Sequence, residues 1–129
     1  MRKFKFQKLV RDKIVEGITQ AGNFPHWRIL SDEEFVEELK KKVSEEAKEI
    51  PESKEEELVR ELADLQEIID NLLKELGVSK EEFANIQEKK NNKAGSFKDK
   101  HFIDYVETKE GSEWVEYYMA SPEKYPEIK

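Results

Sequence analysis

The chain has 129 residues, enough for one compact domain, and 41% of them are charged against 36% that are hydrophobic. The formal net charge of -7 disfavours DNA and RNA as partners, and the absence of cysteine excludes disulfides and zinc–thiolate sites. No apolar stretch is long enough for a membrane span or a signal-peptide core, so we expect a cytoplasmic protein with a narrow core.

Four helices are predicted in chain order. Apolar spacing indicates a first helix over residues 9–20, which ends at Gly22. The others cover residues 31–50, 53–76 and 79 to about 94, with Pro51 and Gly77 ending the first two of them. Each begins at a capping box, in which a serine and the glutamate three residues later satisfy free backbone N–H groups. The predicted boxes are Ser31–Glu34, Ser53–Glu56 and Ser79–Glu82.

The pattern changes after Gly95. The segments HFIDYVE and EWVEYYM are rich in β-branched and aromatic residues and are separated by TKEGS, which favours a short C-terminal β-hairpin. A helix over EWVEYYM is the alternative. Because a short turn joins the two central helices, we expect them to be antiparallel. The predicted fold is mainly α, an antiparallel helix bundle in a single domain of residues 1–129.

Acidic residues interrupt the apolar stripes of both central helices. In the first, Glu46 falls inside the apolar arc and Glu49 lies at its edge. In the second, Glu61 falls inside the arc and Asp64 lies at its edge, displaced in the same sense. Each helix therefore presents one acid within its buried stripe and one acid beside it.

Converging carboxylates repel one another and lose their charge unless cations hold them. Mg²⁺ and Mn²⁺ prefer such oxygen ligands and leave coordination positions free for phosphate. However, Asp and Glu make up 30 of the 129 residues, so acids at this spacing also arise as ordinary solvated charge, as in the pairs Glu34–Glu37 and Glu52–Glu55. The residues alone leave two interpretations open, a divalent-metal site and an acidic helical interaction module.

Three motifs narrow the choice by resemblance. EAKE (residues 46–49) followed by ELAD (residues 61–64) resembles the E-x-x-E…E-x-x-D signature of the all-α nucleoside triphosphate pyrophosphohydrolases, the MazG-like superfamily. KLVRDKI (residues 8–14) is similar to the opening of its phosphoribosyl-ATP pyrophosphohydrolase-like, house-cleaning subgroup. KKNNKAGSF (residues 89–97) resembles the basic stretch that follows the third helix there. The resemblance covers residues 8–103 and makes 104–129 a C-terminal extension.

The resemblance implies hydrolysis of a nucleoside triphosphate between its α- and β-phosphates, with Mg²⁺ or Mn²⁺ as cofactor. It also implies a homodimer or homotetramer, in which a second chain borders the site. The metal ligands implied are Glu46, Glu49, Glu61 and Asp64. Glu45 is the implied general base, so the catalytic residues are Glu45 and Glu46. The candidate substrate contacts are Arg11, Lys13, Asn71, Lys90, Lys93 and Phe97.

The chain departs from the family pattern outside the acidic motif. Val15 replaces the usual proline, Asn92 stands where an arginine is frequent, and residues 94–97 read AGSF in place of Arg-Gly-Gly-Phe. These changes leave the metal site untouched and the substrate open. Phosphoribosyl-ATP, a damaged nucleotide and a deoxynucleotide are all compatible, as is a nucleotide-binding member without turnover.

Overall fold

A computed structural model describes residues 1–129 and contains helices and no strand. The mainly α prediction is therefore confirmed. No helix is both long and apolar enough to span a membrane. A 3₁₀ turn at Ile50–Glu52 connects the second helix to the third. The helices are α1 (Ile14–Gln20), α2 (Asp32–Glu49), α3 (Glu55–Glu75), α4 (Lys80–Ala94) and α5 (Glu113–Met119).

The start of α2 follows the sequence prediction. The backbone N–H of Glu34 donates to Ser31 Oγ at 3.2 Å, and the Glu34 carboxylate accepts from the backbone N–H of Ser31 at 3.3 Å. This reciprocal pair satisfies donors that the first turn of a helix leaves free, so the predicted capping box is confirmed. By contrast, α1 begins at Ile14 and not at residue 9. The residues before it turn so that the Arg11 side chain meets α3, a long-range contact that local periodicity cannot show.

The capping box predicted at Ser53 is wrong. Lys54 is the N-cap of α3 and makes no side-chain cap hydrogen bond, and Glu55 begins the helix with a left-handed φ of 51°. The Ser53 hydroxyl donates instead to the carbonyl oxygen of Glu49 at 3.0 Å, and the residue is buried. The 3₁₀ turn places Ser53 beneath the end of α2, where it closes that helix rather than opening the next.

The packing that positions the candidate site is between α2 and α3. Because only the short 3₁₀ turn separates them, the two helices run antiparallel as a hairpin. Leu39 on α2 and Ile68 on α3 are the only buried hydrophobic residues, which agrees with the narrow core that the composition indicates. α3 ends where Gly77, with φ of 70°, donates to the Lys74 carbonyl oxygen, an arrangement that favours glycine.

The chain divides into two compact units, Met1–Lys93 and Ala94–Lys129. In the second unit the predicted β-hairpin is wrong, because residues 101–107 form no strand and EWVEYYM forms α5, the alternative. The Ser112 hydroxyl accepts from the backbone N–H of Trp114 and caps the helix. Helical spacing also lets aromatic rings meet within the segment, with Trp114 and Tyr118 stacked at 6.1 Å between ring centroids. These local contacts favour the helix over strand pairing.

Candidate metal centre

Three of the predicted ligands meet near the closed end of the α2–α3 hairpin. One carboxylate oxygen from each of Glu46, Glu61 and Asp64 lies within 4.8 Å of the other two. Glu46 reaches the group because it lies on the α2 stripe that faces α3. Glu61 and Asp64 reach it together because residues three apart project from the same helix face. All three are half-buried.

Two oxygens of this group lack hydrogen-bond donors. Glu46 Oε2 and Glu61 Oε2 are both buried from solvent, and neither has a hydrogen-bond partner. A buried oxygen without a donor or a cation is unfavourable, and folded proteins contain few of them. These two oxygens therefore lack a donor or a cation that would compensate their burial.

The crowding of carboxylates without donors also raises the pKa values of Glu61 and Glu49. Ionised carboxylates offer only acceptors, so two of them share a hydrogen bond only when one keeps its proton. The adjacent Glu46 carboxyl, with which a protonated Glu61 would share a hydrogen bond, and then burial raise the pKa of the Glu61 carboxyl above its ordinary 4.5. Hydrogen bonding to Glu61, followed by the charge of that residue, raises the pKa of Glu49. Glu49 thus adjoins the centre, although it is exposed and lies outside the group of three.

The residues present fit a hard divalent cation. Opposite ligands of an octahedral Mg²⁺ are about 4.2 Å apart at ordinary Mg–O distances. The three oxygens here lie within 4.8 Å of one another, so small side-chain rotations would bring them to that spacing. Carboxylate oxygens are the ligand type that Mg²⁺ and Mn²⁺ prefer, and a cation would satisfy the two oxygens that no donor reaches.

Arg11 already contacts the centre. Its Nη2 atom donates to Asp64 Oδ1 at 2.7 Å, across 53 positions of sequence. The two side chains are 62% and 46% exposed, so the ion pair is open to solvent. The resemblance predicts Arg11 as a phosphate contact, and the pairing with Asp64 is not predicted from the sequence. No periodicity or motif relates residues so far apart.

Other predicted residues of the first unit lie elsewhere. The Glu45 carboxylate accepts from Lys42 Nζ at 3.3 Å, on a different side of α2 from Glu46. Lys13 is the exposed N-cap of α1. The Asn71 amide donates to the backbone carbonyl and the carboxylate of Glu67, at 2.9 and 2.8 Å, within its own helix.

The basic stretch of residues 89–97 is divided between the two units. Lys90 and Lys93 are exposed on α4, which has no extended contact with α2 or α3. Phe97 belongs to the second unit and is 93% exposed. The structure thus assembles most of the acidic quartet and one basic residue, and their roles stay predictions.

Comparison of the chain with protein-family models, with curated proteins and with solved structures finds no match in any of the three. Only the chain's own residues therefore bear on its function. The observations that bear on it are the three converging carboxylates, their two buried oxygens without donors, and the arginine that pairs with Asp64.

Proposed function

We propose that this protein is a metal-dependent nucleotide pyrophosphohydrolase of the MazG-like type. It hydrolyses a nucleoside triphosphate, or a nucleotide resembling phosphoribosyl-ATP, between the α- and β-phosphates and releases a monophosphate and pyrophosphate. The observation that carries the proposal is the pair of buried carboxylate oxygens on Glu46 and Glu61 that no donor reaches, beside Asp64. We place the activity in cytoplasmic house-cleaning of the nucleotide pool.

Glu46, Glu61 and Asp64 would hold Mg²⁺ or Mn²⁺, with Glu49 at the margin as the fourth ligand. The bound metal supplies charge neutralisation of the phosphate oxygens and lowers the pKa of the attacking water. Glu45, beside the inner ligand, is the proposed proton acceptor for that water. Its carboxylate accepts a hydrogen bond from Lys42 Nζ, so Lys42 orients it.

Anionic substrates must approach a chain of net charge -7. Arg11 and Lys13 lie directly before α1 and carry positive charge, and Arg11 contacts one of the acids. Guanidinium groups bind phosphate oxygens in a planar fork, so Arg11 is the stronger of the two phosphate contacts we propose. Asn71, Lys90, Lys93 and Phe97 are proposed as further contacts, for sugar, phosphate and base.

The exposed surface supports a homodimer or homotetramer. Exposed apolar side chains of the first unit include Leu62 on α3, Leu76 at the C-cap of α3 and Ile86 on α4. A second copy that covers these faces would supply the core that the single chain lacks. Sedimentation of the purified protein tests this part of the proposal.

The test of function is pyrophosphate release from a panel of standard, deoxy- and modified nucleoside triphosphates and phosphoribosyl-ATP. Each is assayed with Mg²⁺, with Mn²⁺ and with EDTA. We expect metal-dependent release from at least one member, abolished by EDTA. If no member of the panel releases pyrophosphate and metal does not raise the melting temperature, the acidic interaction module is favoured. If none releases pyrophosphate but metal raises the melting temperature, a nucleotide-binding protein without turnover is favoured.

A further inference from the structure

The Arg11–Asp64 ion pair engages a carboxylate that the proposed metal also needs. Asp64 Oδ1 accepts from Arg11 Nη2 at 2.7 Å, and the Asp64 carboxylate contributes one of the three clustered oxygens. A guanidinium and a divalent cation repel each other at such short range. The carboxylate therefore cannot serve both cations equally well at once.

The pair is weak enough to exchange. Both side chains are about half-exposed or more, and exposed ion pairs shift an equilibrium by no more than about fivefold. Arg11 also precedes α1, in a stretch where no residue is buried. A guanidinium released from Asp64 can move without disturbing the packing of α2 on α3.

The segment that carries Arg11 suits a phosphate ligand. The first thirteen residues concentrate positive charge in an otherwise acidic chain, and phosphates attract such clusters. Lys8, three residues before Arg11, is paired with no acid and lies 6.0 Å from the centre of the Phe6 ring. The basic side chains of the segment are Arg2, Lys3, Lys5, Lys8, Arg11 and Lys13, against the single acid Asp12.

We propose that Arg11 is an exchangeable counter-ion of the metal centre. In the metal-free protein it holds Asp64; when a divalent cation takes that carboxylate, the guanidinium is released and binds a phosphate group of the substrate. This inference rests on the proposed function and adds a positioning role for Arg11. Its side chain neutralises Asp64 while no metal is bound and binds the anionic substrate once the metal is bound.

The exchange predicts effects of opposite sign in one variant. Arg11→Gln removes the competitor for Asp64, so Mn²⁺ alone should bind two- to fivefold more tightly. The same variant lacks a charge-assisted phosphate contact, so inorganic pyrophosphate with saturating Mg²⁺ should bind about tenfold more weakly. A purely structural arginine would weaken both, and a simple phosphate contact would leave Mn²⁺ binding unchanged.

Two variants serve as matched controls. Arg28→Gln breaks the other arginine–carboxylate pair, which has the same 2.7 Å distance and nearly the same exposure, 67% and 45%. Lys8→Gln removes a positive charge from the same segment without breaking an ion pair. Neither should change the affinity for Mn²⁺. The melting temperature of Arg11→Gln should fall no further than that of Arg28→Gln, because the two pairs are equally open to solvent.

The measurement is the dissociation constant of Mn²⁺ by electron paramagnetic resonance, without nucleotide, followed by calorimetry with pyrophosphate. Tighter Mn²⁺ and weaker pyrophosphate in Arg11→Gln alone support the exchange. Unchanged or weaker Mn²⁺ binding in Arg11→Gln overturns it, as does equal tightening in Lys8→Gln, which would indicate a general field effect. If the unaltered protein binds no Mn²⁺, the proposed function fails instead, so the two failures are distinguishable.

Discussion

Glutamates near the two ends of α2 have opposite hydrogen-bonding environments. At the first turn, the Glu34 carboxylate accepts from both terminal nitrogens of Arg28, at 3.1 and 2.7 Å, and from the backbone N–H of Ser31. Towards the last turn, Glu46 has an oxygen that is buried and accepts from nothing. The pKa of Glu34 is lowered to about 2, chiefly by its hydrogen bond to Arg28, whereas Glu46 raises the pKa of Glu61.

This difference in hydrogen-bond donors distinguishes acids that stabilise the fold from acids that we propose bind a ligand. A carboxylate with a complete set of donors stabilises the ionised state and the helix that carries it. Carboxylates without donors destabilise the folded chain until a cation arrives, a cost that proteins tolerate at functional sites. Four predictions test this distinction between the two kinds of acid.

The largest effect should be on turnover. Glu46→Gln and Asp64→Asn each remove a proposed metal ligand, so the rate of pyrophosphate release should fall on the order of 100-fold or more. Glu34→Gln and Glu52→Gln change acids of the same spacing outside the stripe and should alter the rate little. Steady-state rates measured under saturating Mg²⁺ provide the check. If the second pair of variants loses as much activity as the first, the distinction between the two ends of α2 is wrong.

Metal should also stabilise the fold through the same acids. At 100 times its dissociation constant, a cation that binds only the folded state adds about 2.7 kcal/mol, which raises the melting temperature by about 5–10 °C. Mn²⁺ should produce this rise in the unaltered protein and in Glu34→Gln. It should produce none in Glu46→Gln. Differential scanning calorimetry with Mn²⁺ and with EDTA makes the measurement, and a rise that survives in Glu46→Gln would place the metal elsewhere.

Without metal, single amide substitutions in the acidic cluster and at the first turn of α2 should change the melting temperature with opposite signs. Glu61→Gln replaces an acceptor by a side chain that donates to Glu46, so the melting temperature in EDTA should rise by about 2–5 °C. Glu34→Gln loses its charge-assisted bonds to Arg28 and should melt lower by a similar amount. A fall in both variants would mean that the clustered acids stabilise the metal-free protein.

The smallest effect should be the acid sensitivity of the first turn. The pKa of Glu34 falls from 4.5 in the unfolded chain to about 2 in the folded protein. Its contribution to stability is therefore complete above pH 4.5 and is lost as the pH falls from 4.5 towards 2. The difference in melting temperature between the unaltered protein and Glu34→Gln should narrow over that interval. A gap that stays constant down to pH 2.5 would show that Arg28 does not hold this carboxylate ionised.

The sequence by itself determined the features that depend on neighbouring residues. The capping box at Ser31, the glycine that ends α3 and the apolar stripes of α2 and α3 are all local, because helix geometry relates residues only a few positions apart. The same geometry predicted that Glu46 and Glu61 intrude on those stripes, and both are half-buried. The antiparallel pair then brought them together with Asp64, as a short connection requires.

Tertiary structure decided what depends on contacts between distant or competing groups. It paired Arg11 with Asp64 and moved Ser53 from the start of α3 to the end of α2. Each choice is settled by free-energy differences between alternatives of similar local propensity, which periodicity does not measure. Local rules thus placed the acids on their helix faces, and packing alone decided which donors reach them.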